Sequence, residues 1–477
     1  MRGQSCIDAG VLAAALMAMS MTGTLAAAEK PVSTAGCARA AVLTTRGGAV
    51  AIPSSFRYDV EYPAIRYSDT AVSNSITRLQ ERLDRGELKL EYREGRGYLD
   101  SLLAALKIDR SSQLLVYSKS SVQRRLISGA TPRALYFNDD TYIGWVKGSD
   151  QIEVVTMDWE KGPAFYFIDN RRDAPAQVRR EFTTCLSCHD SAGLLGGGVP
   201  TLTAYSMPVD SDGVLFPNDD PLAVTDATPL ERRWAGWYVT GLHGMQTHLG
   251  NLLVKSPEEF RNADLQRNGN RRSVAGLFDS KPYLSDKSDI VALMVFEHQA
   301  AMHSLFARAA FKSREFLAKD LGTDRVETPF SELSPRTQSL FKRLLEPVVR
   351  GLLFADAAAF KDRIQGTAGF EAWFQEQGPR DSAGRSLREF DLSTRLFRYP
   401  LSYLVYSEAF DGLPRSVREY VYGRLAEILT GKDVAGGFPL LSAQEREAIV
   451  SILKETKPDF ARAAVLTLVA PPIAGGG

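Results

Sequence analysis

Residues 134–146 read Ala134-Leu135-Tyr136-Phe137-Asn138-Asp139-Asp140-Thr141-Tyr142-Ile143-Gly144-Trp145-Val146, two β-rich runs joined by a cluster of turn-formers. Aromatic and β-branched side chains suit a pleated, half-buried surface, and Asn-Asp-Asp interrupts it, so the stretch predicts two antiparallel strands. Leu114-Leu115-Val116-Tyr117 precedes it, and Ile152-Glu153-Val154-Val155 and Ala164-Phe165-Tyr166-Phe167 follow, with Lys147-Gly148-Ser149-Asp150 as a further turn. Together these runs predict a small antiparallel sheet. Tyr136, Phe137, Trp145, Phe165, Tyr166 and Phe167 read as its core.

Just beyond the last run lies Thr184–Pro200, TCLSCHDSAGLLGGGVP. Cys185 and Cys188 stand three apart and His189 follows at once, the spacing of a c-type haem attachment site. One turn of chain brings two thiols to the two vinyl groups of a haem, and the next imidazole then becomes the proximal iron ligand. With only four cysteines and five histidines in 477 residues, a chance match is improbable. A structural zinc site needs four ligands, and the chain offers no second Cys/His pair of comparable spacing. The expected cofactor is one covalent haem c, with Cys185 and Cys188 as thioethers and His189 on the iron. A carbonyl near Pro200 is placed to accept the second imidazole N–H of His189.

At the N-terminus, Arg2 precedes an Ala/Met/Leu-rich run from Ala9 to Ala28, ending Leu25-Ala26-Ala27-Ala28. This pattern predicts a signal peptide cleaved after Ala28 and a periplasmic or secreted protein. Cys6 leaves with that segment, and Cys37 remains as the one cysteine outside the motif. No later stretch reads as apolar enough to span a bilayer, so no stable membrane span is expected after cleavage. Lys and Arg total 57 and so do Asp and Glu, and a formal net charge of zero argues against a nucleic-acid partner.

Helical periodicity is expected over Ser73–Arg85 and Asp100–Leu106, and from Ser288 it dominates, with segments Ser288–Leu317, Ser334–Phe354, Ala357–Gly366, Pro414–Leu429 and Ser442–Thr456. Ser334 before Pro335 and Ser442 before Glu445 mark helix starts. The fold class predicted is α+β and predominantly α-helical, with a small antiparallel β region before the haem segment and a helical C-terminal half. The corresponding regions are 1–28, 29–180, 181–285, 286–465 and a tail at 466–477.

Four further histidines fall in two pairs. His243 and His248 lie in Gly241-Leu242-His243-Gly244-Met245-Gln246-Thr247-His248, and His298 and His303 in Glu297-His298-Gln299-Ala300-Ala301-Met302-His303. Five residues on a helix separate side chains by about 140°, so His298 and His303 cannot both ligate one iron. The glycines around His243 suggest a loop approaching something closely, which makes His243 the preferred distal histidine and His298 the alternative. Met207 is a further sixth-ligand candidate, and His243, His248 and His298 are a possible separate metal set. Glu297 and Gln299 are candidate second-sphere partners of His298. Arg133, Arg232 and Arg233 are candidates for pairing haem propionates, and Trp234, Trp237 and Tyr238 for an aromatic haem wall.

The segment from His189 to Pro200 resembles class I cytochromes c, in which a Gly-x-Pro-type segment follows the haem histidine. Pro132–Asp139, Cys185–His189, Trp234–Gly241, Glu297-His298-Gln299, and Phe397–Pro400 with Tyr403–Ser407 resemble blocks of a family of exported bacterial proteins with a single-haem cytochrome c domain. That resemblance implies haem c and a periplasmic home, and carries no substrate. Two functions are consistent with it: electron transfer with a redox partner protein, or a haem-dependent oxidoreductase of peroxidase or oxygenase type acting on a small molecule through an open distal position. A sensor or structural binding role is a third class, although no signalling module is recognisable.

Overall fold

The protein is described from a computed structural model covering residues 61–68, 71–173, 175–181, 183–189, 198–322, 326–433, 438 and 441–462. The expected signal peptide, Cys6, Cys37, the glycines at 196 and 197 and the tail at 466–477 lie outside the described residues. Six strands run in sequence, β1 (Leu114–Val116), β2 (Arg133–Phe137), β3 (Thr141–Trp145), β4 (Gln151–Asp158), β5 (Gly162–Asp169) and β6 (Val178–Glu181). A separate two-stranded pair, β7 (Ala204–Ser206) and β8 (Leu222–Val224), follows, and then β9 (Trp237–Tyr238). The order across the main sheet is β6-β5-β4-β3-β2-β1-β9, with every neighbour antiparallel.

Turn chemistry explains the meander. Asn138 Oδ1 accepts the amides of Asp140 and Thr141 at 3.2 and 3.0 Å, closing the β2–β3 hairpin. Asp158 Oδ1 does the same for Glu160 and Lys161 at the end of β4. Gly162 then opens β5 at φ +66°, where a Cβ would stand 2.7 Å from the Cβ of Ala307, so a glycine is required both by its backbone angle and by the helix that crosses it.

Register assigns the two faces. Leu115, Ala134, Tyr136, Ile143, Trp145, Val154 and Tyr166 share one face and pack with Ile76, Leu79, Leu99 and Leu102. Those four belong to α1 (Ser75–Asp84), capped by Asn74, and α2 (Leu99–Ala105). Leu114, Leu135, Phe137, Tyr142 and Phe165 line the opposite face, in one cluster with the C-terminal helices. The remaining helices are α3 (Thr183–His189), α4 (Pro257–Arg261), α5 (Leu265–Asn268), α6 (Ile290–Leu321), α7 (Pro335–Leu352), α8 (Phe370–Glu376), α9 (Glu408–Asp411), α10 (Arg415–Leu429) and α11 (Ala443–Thr456).

α6 is the central strut of that second layer. Its 32 residues span about 48 Å. Asp289 caps it, accepting the amides of Val291 and Ala292 and also those of Thr367 and Ala368, while Gly322 ends it at φ +62°. By length and composition α6 is apolar enough to cross a membrane, which amends the expectation that no later stretch is. Here 89% of its most apolar window is buried inside the protein. A helix apolar on all sides is a core helix when other elements surround it.

The fold class needs correction. The structure has 38% helix and 14% strand, so it is not predominantly α-helical, and its sheet is not small. A seven-stranded antiparallel sheet is the main layer, and it takes β9 from beyond the motif by pairing Leu115 with Tyr238 and Val116 with Trp237. The helix expected over Ala357–Gly366 is instead irregular chain with a bend at 361 and 362. Its amides go to distant carbonyls: Ala358 to Asp226, Phe360 to Thr394, Ile364 to Leu392 and Gln365 to Leu242.

Candidate functional site

β6 runs directly into α3, and Glu181 Oε1 accepts the Thr184 amide at 2.8 Å, satisfying a donor of the first turn. Cys185 and Cys188 are therefore one helical turn apart, both half-buried and not joined as a disulfide. Cys185 and Leu186 pack against the α6-side core cluster. Burial pushes the Cys185 thiol up to about 12, with Glu153 and Glu181 adding to the effect. It is a protonated thiol at neutral pH, not a reactive thiolate.

His189 ends the helix. Its Nδ1 lies 2.7 Å from the carbonyl oxygen of Thr201, next to Pro200. A carbonyl only accepts, so Nδ1 carries the proton and donates, and the lone pair of the neutral ring is on Nε2. Burial lowers the pKa of His189 despite the Thr201 bond, which keeps the imidazole neutral. The Thr201 amide and hydroxyl return bonds to the His189 carbonyl at 2.9 and 3.1 Å. Two chain segments, 189 and 201, are thus clasped together, and the ring lies on Phe165 with centroids 4.8 Å apart.

Beneath the motif the sheet face is charged. Arg133 on β2 pairs with Glu153 on β4, and its guanidinium lies across Gly144, occupying the place of a side chain on β3. Ser121 also donates to Glu153 at 2.6 Å, while Arg133 Nε is buried without a hydrogen-bond partner. Arg133 and Glu153 both act electrostatically on Cys185 and on His189. Of the three expected propionate partners, Arg133 is therefore at the motif. Arg232 is exposed, and Arg233 is engaged elsewhere.

α6 holds the segment after the motif. Ser304 Oγ accepts the Leu202 amide at 2.9 Å and lies 2.8 Å from the Leu202 carbonyl. Ala307 and Phe311 form a small apolar cluster with Val199, and Leu186 packs against it.

The other histidines are all buried. His243 Nε2 accepts the Asn270 amide at 2.9 Å, and the His243 ring meets His248 edge-on, centroids 4.8 Å apart. Its neighbours, Gly269, Asn270 and Asp362, are a different set from those of His189. His248 accepts the Gly250 amide on Nδ1 and lies against Trp234; burial, with His243 beside it, lowers it to about 3. Trp237 and Tyr238 donate to the carbonyls of Tyr205 and Gly129. Met207 packs in the cluster on the opposite face of the sheet.

His298 has both nitrogens engaged, Nδ1 with Asp226 and Nε2 with Ser402, each at 2.7 Å, and its ring stacks on Phe354 at 4.2 Å. The order Asp226–His298–Ser402 is that of a nucleophilic triad. Ser402 and His298 are fully buried, however, and Ser402 Oγ also accepts the Leu404 amide, so the row ties α6 to the chain before α9 and leaves an acyl substrate no path to the hydroxyl. A cavity of about 180 Å³ lies on its Asp226 side, walled by Phe354, Phe360 and Phe397. Glu297 pairs with Arg233 at 2.9 Å and accepts Trp234 Nε1 at 2.5 Å, both contacts buried. Gln299 bridges the hydroxyls of Tyr142 and Tyr403.

Among the described residues, no three His, Cys, Asp or Glu side chains gather as a separate metal site would require, so His243, His248 and His298 do not form one. Asp226, Ser402 and Tyr142 were not expected from the sequence. Their histidine partners lie 72, 104 and 161 residues away in the chain, and no local pattern marks such pairs. No family model matches the chain, and neither does any curated protein or solved structure.

Proposed function

We propose that the chain is an exported c-type haem protein acting in electron transfer, with Cys185 and Cys188 as the thioether positions and His189 as the proximal ligand. The observation that carries this reading is the state of His189. Its Nδ1–H is fixed by the Thr201 carbonyl at 2.7 Å and burial keeps the ring neutral, which leaves the Nε2 lone pair for a metal. Two thiols one turn away complete the donor set. The buried, unpartnered Nε of Arg133 fits a haem propionate as its missing acceptor. A haem bound here supplies one-electron exchange between ferric and ferrous iron.

The chain's own residues do the rest. Phe165 packs against the His189 ring, Thr201 fixes the imidazole, and Arg133 supplies a positive charge beside it. The test is expression with export and a cytochrome c maturation system, followed by acid-acetone extraction. Haem that stays with the polypeptide in the wild type, and is absent from the Cys185→Ser/Cys188→Ser variant, is the expected result. Haem that extracts, or its absence from the wild type, overturns the proposal.

A further inference from the structure

The cavity of about 180 Å³ on the Asp226 side of His298 has a strained wall. α7 ends in a Schellman motif, in which the Phe354 amide bonds the Gly351 carbonyl at 3.2 Å and the Ala355 amide bonds that of Arg350 at 3.0 Å. Such a turn needs a left-handed residue just past the helix, usually glycine, and here it is phenylalanine at φ +51°. A bulky side chain in that region is an outlier, and strain of this kind collects at ligand clamps. It places the Phe354 ring on His298, centroids 4.2 Å apart, and beside Phe397 at 5.5 Å. Main-chain bonds hold the neighbouring chain in place, from the Ala358 amide to the Asp226 carbonyl and from the Phe360 amide to that of Thr394. Met294, Leu396 and Phe397 are buried, whereas Ala357, Ala359 and Thr394 are exposed, so the cavity opens to solvent along that edge.

The charged groups that line it are unequally engaged. Arg233 is fully occupied, with Nη1 on Glu297, Nε on the Thr228 carbonyl and Nη2 on the Asp226 carbonyl. The charge of Arg395 is met by Glu445, with Asp391 3.8 Å away. Asp226 is different. Its Oδ2 accepts the His298 Nδ1–H at 2.7 Å, but among the described residues Oδ1 has no hydrogen-bond partner and no lysine or arginine side chain pairs with the carboxylate. The side chain keeps 20% of its surface exposed, so a ligand in the cavity can reach that oxygen.

We propose that this cavity binds a small organic ammonium ion, its N–H donating to Asp226 Oδ1 and its apolar body lying among Phe354, Phe360 and Phe397. A carboxylate oxygen only accepts, and a charged donor makes the stronger bond. Aromatic faces attract cations and shelter the rest of the ligand. An apolar cavity of about 150 Å³ holds benzene, so this one suits a body of about six or seven carbons. The ligand uses the oxygen that His298 does not, and none of the lining residues belongs to the Cys185–His189 motif, so the site stands apart from the haem reading.

The experiment is calorimetric titration of the purified full chain at neutral pH with benzylammonium, benzyl alcohol and benzoate. Benzylammonium is expected to saturate one site per chain, benzyl alcohol to bind about tenfold or more weakly, and benzoate not to bind, because the charged hydrogen bond is what distinguishes them. Asp226→Asn keeps an oxygen for the His298 N–H but puts an amide N–H in the cavity, and is expected to weaken benzylammonium about tenfold or more while benzyl alcohol changes little. Phe360→Ala weakens both probes. Ala359→Trp, a change at an exposed position on the rim, narrows the opening and weakens benzylammonium in a chain whose circular dichroism matches the wild type. Absence of benzylammonium binding to the wild type, benzoate binding as tight as benzylammonium, or benzylammonium affinity unchanged in folded Asp226→Asn or in Ala359→Trp overturns the proposal.

Discussion

Replacing Ser304 by alanine removes the oxygen that ties α6 to the segment after the motif. Ser304 Oγ accepts the Leu202 amide at 2.9 Å, and its single proton is shared between the carbonyls of Leu202 at 2.8 Å and Ala300 at 3.0 Å. Both Ser304 and Leu202 are buried. Alanine leaves the Leu202 N–H without its acceptor, a loss of about 1–3 kcal/mol, and weakens one carbonyl contact besides. Because the helical Ala300 carbonyl keeps its own ladder bond, the total is about 2–3 kcal/mol, a fall of roughly 30- to 150-fold in the folding equilibrium constant.

The consequence reaches the motif. Thr201 lies one residue before Leu202, and its carbonyl is what makes His189 a stronger donor by accepting its Nδ1 proton. On the haem reading proposed above, loosening Leu202 lengthens that bond, makes the imidazole a weaker donor to ferric iron and raises the reduction potential. Urea unfolding of the haem-loaded protein followed by circular dichroism reads the first effect as a lower midpoint at unchanged slope, and spectroelectrochemistry reads the second. Ser304→Thr, which keeps the hydroxyl, is expected to retain the wild-type potential. A loss under about 0.5 kcal/mol with the potential unmoved in Ser304→Ala refutes the idea that this clamp holds the motif.

Three further outcomes follow from the buried groups. His248 is lowered to about 3 by burial from an ordinary 6.5, so the unfolded chain takes up the proton first. The stability it contributes is complete above pH 6.5 and is lost as pH falls toward 3, by up to about 1.4 kcal/mol per pH unit. His248→Asn, which keeps an acceptor for the Gly250 amide, is therefore expected to show a shallower acid slope, and equal slopes by chemical denaturation at pH 5 to 7 would count against it. Arg233→Met strands the buried Glu297 carboxylate and is expected to cost about 3–5 kcal/mol, whereas Arg233→Met with Glu297→Gln costs less than the sum of the two single changes in a double-mutant cycle. Arg133→Gln removes the positive charge beside His189 and leaves Glu153 unpaired, so the reduction potential falls, and a raised potential is the contrary result.

How much of this was legible in the sequence depends on how far each cause reaches along the chain. The β2–β3 hairpin was legible because Asn138 makes its own turn, and the starts of α7 and α11 because Ser334 and Ser442 cap residues three positions on. β9 was not, because two residues show no alternation, and Trp237 and Tyr238 become strand only through Val116 and Leu115, more than a hundred positions earlier. The segment Ala357–Gly366 carries apolar spacing, but its amides are claimed by carbonyls at 226, 392, 394 and 242, which spacing cannot reveal.

The histidines show the same limit at the level of chemistry. The glycines around His243 do mark a close approach: a Cβ on Gly241 would strike Ile290, and one on Gly244, at φ +61°, would strike Asp362. What approaches is the protein's own chain, so the glycine signal is one of packing. A histidine's capacity to bind iron is decided by both ring nitrogens at once, one held by a group able to accept a proton bond and the other left facing no donor. His189 meets the first condition through a carbonyl twelve residues away, a span short enough to read as a motif. His303 fails it: the Tyr142 hydroxyl, 161 residues away, accepts from Gln299 and donates to Nδ1, which puts the ring proton on Nε2, a pairing that only the folded sheet and α6 bring about.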